Sequence, residues 1–285
     1  MEIPTQPIYD VSLSTKDYIE QKYGPWPFLT VGAFIVLEVF FLYYLFTLHN
    51  GAFDFRLVYG AIFIPIVVLG ALYSSVTKKM RDAFMEQFAA ANGYTFEAKG
   101  NPGGQDGVMF SLGHSRNMED VITGQFQNHP VQLFNYSYSV GSGKSEVTYQ
   151  HTVFDTNFNS KLPDILLYSK NNQTGEALSA AGVREVKLEG DFNQHFRLWV
   201  PPGFEIEALE IVAPDFMAAL EDRWPEFTLE LTSGHLYVYA ARYLDTAAEL
   251  KSMYELVQYL IEKIEPVLAR MEHRQATIAE VRPET

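Results

Sequence analysis

Cysteine is absent from all 285 residues, which excludes a disulfide framework and thiolate chemistry and fits a reducing compartment. Positive charge is scarce: 21 Lys and Arg stand against 35 Asp and Glu. The deficit is not spread evenly. Residues 1–81 hold six basic and six acidic side chains, so the formal charge of −14 belongs entirely to residues 82–285. A surface this acidic repels phosphate backbones, which argues against nucleic-acid partners and is compatible with basic ones.

Two stretches lack charge almost altogether. Residues 25–48, PWPFLTVGAFIVLEVFFLYYLFTL, carry Glu38 alone, and residues 57–76, LVYGAIFIPIVVLGALYSSV, carry none. As helices rising about 1.5 Å per residue, both are long enough to cross a hydrocarbon core of about 30 Å. Neither has the polar face that a helix inside a soluble protein keeps. The reading is a transmembrane helical hairpin over 25–76 in a lipid bilayer, with Trp26, Tyr43, Tyr44, Tyr59 and Tyr73 toward the headgroup layers. The segment 1–24 is polar and of mixed charge, unlike a secretory signal, so the first apolar run reads as a retained anchor. Lys16 and Lys22 precede the first span, Lys78, Lys79 and Arg81 follow the second, and the connection has only Arg56. The positive-inside tendency therefore places both termini in the cytoplasm.

Beyond the spans, residues 77–109 read as a juxtamembrane helix, with apolar residues at Met80, Phe84, Phe88 and Ala91, followed by the Gly-rich linker KGNPGGQDG. Residues 110–285 read as an α+β cytoplasmic domain rich in antiparallel strands. The expected strands cover 121–127, 131–140, 146–158, 164–169, 185–192, 195–200 and 207–212, all rich in β-branched and aromatic residues. A helix is expected over 215–223 and a hairpin over 228–241 around Ser233-Gly234. A long helix over 246–273 closes the domain, opened by the capping box of Thr246 and Glu249.

One stretch imitates a nucleotide site. Gly141-Ser142-Gly143-Lys144-Ser145 looks like the end of a P-loop, but the first glycine of that motif would fall at Tyr138. The following EVTYQHTVF alternates as a strand does, whereas phosphate binding needs the amides of a helix start. The simpler expectation is a β-hairpin turn with Lys144 solvated, and no nucleotide is expected.

FSLGHSRNMEDVITGQF, LFNYSYSVGSGKS, LEGDFNQHFRLWVPPG, EIEALEIVAPDFMAAL and LYVYA together resemble an uncharacterised family of bacterial membrane proteins, known as a domain of unknown function. The resemblance runs over roughly residues 25–241 and implies two spans, a cytoplasmic domain and the inner membrane of a bacterium. It implies no activity and no site residues.

Candidate chemistry is sparse. Glu38 lies mid-span, where a carboxylate is costly; it reads either as a proton or ion site or as a protonated group bonding across a helix pair. The seven histidines include no pair at helical ligand spacing, so no metal or other cofactor is expected. His114, Ser115 and Asp120 offer triad residue types without a nucleophile elbow. Glu205, Glu207 and Glu210 read as the solvent face of a strand. The clearest pattern is a heptad seam, Leu250, Met253, Val257, Leu260, Ile264, Val267 and Met271, suited to packing on the domain's own sheet, to a partner helix, or to each in turn along its length. The expected function is thus a non-enzymatic inner-membrane protein whose acidic domain binds a protein partner or associates with itself. Two alternatives stand beside it: a ligand-sensing or enzymatic domain with a pocket near Tyr136, Tyr138, Tyr149, Phe196 and Trp199, and an oligomeric transport component using Glu38.

Overall fold

The computed structural model describes residues 55–158, 164–172, 183–188 and 190–281 and eight isolated helical positions between 33 and 47; parts of 55–73 and all of 271–281 are described as backbone alone. The chain divides into two compact units, Val11–Phe84 and a larger one containing Met85–Thr285. Helix α1, Phe55–Ala91, includes the second apolar stretch. Among the described residues no helix is long and apolar enough to cross a membrane. Most of the first expected span, Glu38 included, lies outside the described residues.

The larger unit is α+β, as its strand-rich pattern predicts. Among the described residues nine strands form one antiparallel sheet in the order β1-β2-β3-β4-β9-β8-β5-β7-β6. In chain order these are β1 Thr95–Lys99, β2 His114–Phe126, β3 His129–Val140, β4 Val147–Asn157, β5 Ile165–Ser169, β6 Arg184–Val186, β7 Phe196–Val200, β8 Phe227–Thr232 and β9 His235–Ala240. Helices α2 Phe192–His195, α3 Glu205–Ile211, α4 Pro214–Arg223 and α5 Ala247–Val281 complete it. The sheet takes in Thr95–Lys99, within the stretch that the sequence pattern assigns to a juxtamembrane helix and linker.

Cross-strand partners share a face, so the register sorts the side chains into two sets. One face carries the row Leu133, Phe154, Val238, Leu229, Leu167 and Leu198. Helix α5 covers it: the Tyr254 ring meets Phe126 at 5.1 Å and Phe154 at 5.0 Å, both edge-on. A small apolar cavity of about 20 Å³ lies here, lined by residues including Leu229, Leu231, Phe216 and Leu260. That is space for about one water, and a wholly apolar lining leaves such a space dry.

The turns follow the residues that form them. Ser233 and Gly234 both have positive φ, 51° and 85°, the conformation of a type I′ hairpin turn, whose twist matches the flanking strands. Gly141 to Ser145 closes the β3–β4 hairpin, with Ser145 N donating to Ser142 O at 3.3 Å, and β4 follows directly. The P-loop lookalike is a chain reversal. At the head of α5 one half of the capping box is made as its residues predict, Glu249 N donating to Thr246 Oγ1 at 3.3 Å, while Glu249 Oε2 accepts from the amide one residue before the cap, Asp245 N, at 3.3 Å. Replacing Thr246 by Ala should cost about 1 kcal/mol, read as a lowered urea midpoint with an unchanged slope; no shift would mean the cap is redundant.

One expected strand is a helix. Alternation predicts a strand over residues 207–212, but Glu205–Ile211 is α3, which buries Ala208 and Ile211 and exposes Ile206 and Leu209. In so short an apolar run a period of two and a period of 3.6 fit almost equally. Pro201-Pro202-Gly203 in front and the acidic first turn of Glu205 and Glu207 tip the choice, since carboxylates favour a helix N-terminus. Glu205 then pairs with Arg184 and Glu210 with Arg270, the latter at 2.7 Å.

Candidate functional site

The other face of the sheet is paved with polar aromatic side chains and holds the unit's most unusual chemistry. Tyr136 and Tyr138 of β3, Tyr149 and His151 of β4, Tyr237 and Tyr239 of β9, Glu230 of β8 and Trp199 of β7 share it, as their pairing register requires. Residues 100–112 cross this face as a strap. Its centre is Phe110, whose ring meets Tyr136 at 5.0 Å and Tyr237 at 5.2 Å edge-on, with Tyr239 and Phe134 each at 6.1 Å.

Glu230 latches the strap. Its carboxylate is 2% exposed, accepts the Val108 backbone N–H at Oε1 (2.6 Å) and accepts the Tyr239 hydroxyl at Oε2. Gly107 permits this approach: a Cβ there would stand 2.7 Å from the Tyr239 oxygen and 3.0 Å from Glu230 Oε2. At the far end Arg116 donates to the carbonyls of Leu112 at 3.1 Å, Ser111 at 2.5 Å and Gly113 at 3.3 Å. Burial pushes the Glu230 carboxyl up to about 7, against the pull of the Tyr239 and Val108 hydrogen bonds. The Tyr239 hydroxyl is raised well above its ordinary value by burial and by the neighbouring Glu230 charge.

Other groups on this face titrate abnormally as well. His151 is wholly buried, stacks on Tyr138 at 5.6 Å, and has neither ring nitrogen in a hydrogen bond of good geometry. Burial lowers its pKa to about 4, the Ala240 backbone pulling the other way. His235 Nε2 accepts from Asn157 Nδ2 at 2.8 Å, which leaves Nδ1–H to donate to Asp155 Oδ1 at 2.7 Å. The Asp155 hydrogen bond raises the imidazole, while burial raises Asp155 itself more than His235 lowers it.

Tyr136 and Tyr138 are wholly buried and Tyr149 and Trp199 half-buried on the strap face, whereas Phe196 lies on the helix face stacked on Phe192 at 4.6 Å. The five do not line one pocket. His114 bonds Ser115 Oγ at 3.0 Å and Gly141 O at 2.8 Å. Asp120 instead accepts from Asn135 Nδ2 at 2.9 Å, and Asn135 Oδ1 accepts from Thr152 at 2.7 Å, a buried polar chain. Among the described residues no group of three or more His, Asp or Glu is placed to hold a metal ion. Leu250, Met253, Val257, Leu260, Ile264 and Val267 are buried within their own unit; the Met271 side chain lies outside the described residues. Residues buried this fully against their own fold present no surface to a partner helix, so the seam as far as Val267 packs the domain.

Sequence reasoning misses Glu230 and the strap. The signal for Glu230 is its place in TLELT, where alternation assigns it to a solvent face. KGNPGGQDG carries linker residue types, yet Gly100 and Gly107 serve close packing: a Cβ at Gly100 would stand 2.7 Å from Val121 Cγ2.

Comparisons with known proteins add little. No protein-family model matches the chain and no curated protein matches it. A solved structure, the crystal structure of the mycobacterial trehalose monomycolate transport factor A, is similar over 64% of this chain and 94% of that one, with a TM-score of 0.46 and 12% identity. A likeness at that level carries no functional argument.

Proposed function

We propose that this chain is a membrane-anchored, non-enzymatic module of the bacterial inner membrane, whose acidic α+β unit binds a protein partner or associates with itself on the cytoplasmic side. The observation that carries the reading is apolar exposure in the smaller unit. Val36, Leu37, Phe40, Phe63 and Ile66 are 56% to 67% exposed, and they fall within the two nearly charge-free stretches. Large apolar side chains gathered in this way mark a surface that meets lipid or protein. The basic residues Lys78, Lys79 and Arg81 after residue 76 support cytoplasmic placement of residues 82–285. The charge surplus of that region, 29 acidic against 15 basic, favours a basic partner whose binding weakens with salt.

Carbonate washing of membranes from cells expressing the chain, followed by protease on intact spheroplasts and on inverted vesicles, tests the anchoring. The chain should stay in the pellet and be cut only in inverted vesicles. Release by carbonate would refute the anchor, and cleavage of residues 82–285 from outside would refute the orientation.

A further inference from the structure

Strand β1 is the outermost strand of the sheet formed by the described residues; its inner edge pairs with β2 through Thr95↔Thr123, Phe96↔Ile122, Glu97↔Val121 and Lys99↔Glu119. Thr95, Glu97, Ala98 and Lys99 are exposed. An outer strand presents unsatisfied backbone donors and acceptors, and proteins commonly blunt such edges with short length, charged side chains, proline, bulges or a covering element; β1 is short and charged, but its two charges, Glu97 and Lys99, are of opposite sign. Thr95–Lys99 contains no proline, and its pairing with β2 runs without a register shift.

We propose that β1 is the assembly edge of this protein and pairs antiparallel with β1 of a second copy, about a two-fold axis through Ala98. Charge selects the partner and the register. With Ala98 opposite Ala98 of the second copy, Glu97 of each chain stands opposite Lys99 of the other. Registers displaced by two residues set Glu97 against Glu97 or Lys99 against Lys99, and a displacement by one turns the side chains to opposite faces. Lys99 already stands beside Glu119 of β2, so in the pair it lies between two carboxylates, one from each chain. The arrangement is isologous: each copy offers the same five residues, and the two-fold closes the assembly at a dimer. A five-residue edge is a small interface for chains free in solution. Here the inference rests on the membrane anchoring proposed for this chain, which confines copies to a plane and raises their effective concentration.

The absence of cysteine gives a direct test. Antiparallel partners have Cα atoms about 4.5 or 5.5 Å apart, within the roughly 4.4–6.8 Å range a disulfide accepts. The full chain carrying Ala98→Cys, oxidised in native membranes, should crosslink to a dimer, while Lys144→Cys, exposed in the β3–β4 turn, should crosslink only at the collisional level. Adding Glu97→Lys should lower the Ala98→Cys dimer about fivefold by opposing like charges, and Glu97→Gln, which leaves Lys99 beside Glu119 and adds no like charge, should lower it less. Crosslinking at Ala98→Cys no better than at Lys144→Cys, or a dimer that Glu97→Lys leaves at its original level, would overturn the edge pairing. A chain retained by membranes but not crosslinked overturns this inference alone; one released by carbonate yet crosslinked overturns the anchoring alone.

Discussion

Truncating Phe110 to alanine should remove about 3–5 kcal/mol of stability from the larger unit. The ring is 5% exposed and is the strap's main apolar contribution to the aromatic face, touching Phe134, Tyr136, Tyr237 and Tyr239. Edge-on aromatic pairs add about 0.5–1.5 kcal/mol beyond the area they bury, so losing four neighbours at once places this site at the upper end of core truncations. The strap has a second fastening in Glu230 and a third in Arg116, and neither can fill the space the ring leaves. Urea unfolding of the detergent-solubilised chain, read by hydrogen exchange at β8 and β9, would measure the loss. The β9 amides beneath the strap should lose protection more than those of Leu167 and Leu198 farther along the sheet. A loss below about 1 kcal/mol would mean that the strap is held by its polar latches and that the ring merely covers the face.

The sheet is legible in the sequence where local chemistry and tertiary packing agree. Ser233-Gly234 supplies positive φ between two alternating runs, and Tyr136, Tyr138 and Tyr149 lie where period two puts them, so β3, β4, β8 and β9 can be read directly. The capping box of Thr246 and Glu249 marks the head of α5, and the seam from Leu250 to Val267 marks its buried stripe. The surface covering that stripe is not legible, because a heptad pattern reports that a face is apolar and not which apolar surface it meets. The strap is hidden for a related reason: glycines that allow a loop to turn also allow a backbone to lie within van der Waals contact of a carboxylate. Glu230 is hidden by alternation itself. Period two separates the sides of a strand, but a sheet covered on both sides has no solvent face, so alternation alone cannot place Glu230. The α3 stretch is misread for want of length, since seven residues sample too few turns for either period to win.

The latch makes a second large prediction, in the pH dependence of stability. Glu230 has a folded pKa of about 7 against 4.5 when exposed, so between those values the folded protein holds a proton that the unfolded chain has lost. Its contribution is therefore fully present below pH 4.5 and disappears as pH rises through about 7; a shift of this size corresponds to about 3 kcal/mol. His151 acts in the opposite sense. Its folded pKa of about 4 lies below 6.5, so the neutral buried ring contributes fully above pH 6.5, and that contribution is lost as pH falls through 4. Between pH 4.5 and 6.5 the two slopes nearly cancel, which flattens the profile of the native protein and conceals both groups. Glu230→Gln unmasks them, because an amide can still accept from Val108 N and donate to the Tyr239 oxygen but cannot ionise. The stability of the variant minus that of the native chain should rise by about 3 kcal/mol between pH 4.5 and 8, and the variant's own stability should climb with pH up to about 6.5 under the influence of His151. Urea midpoints across that range decide the matter: a difference that stays flat would show that Glu230 titrates as an ordinary carboxyl, and that the strap is latched by an ion already charged at every pH tested.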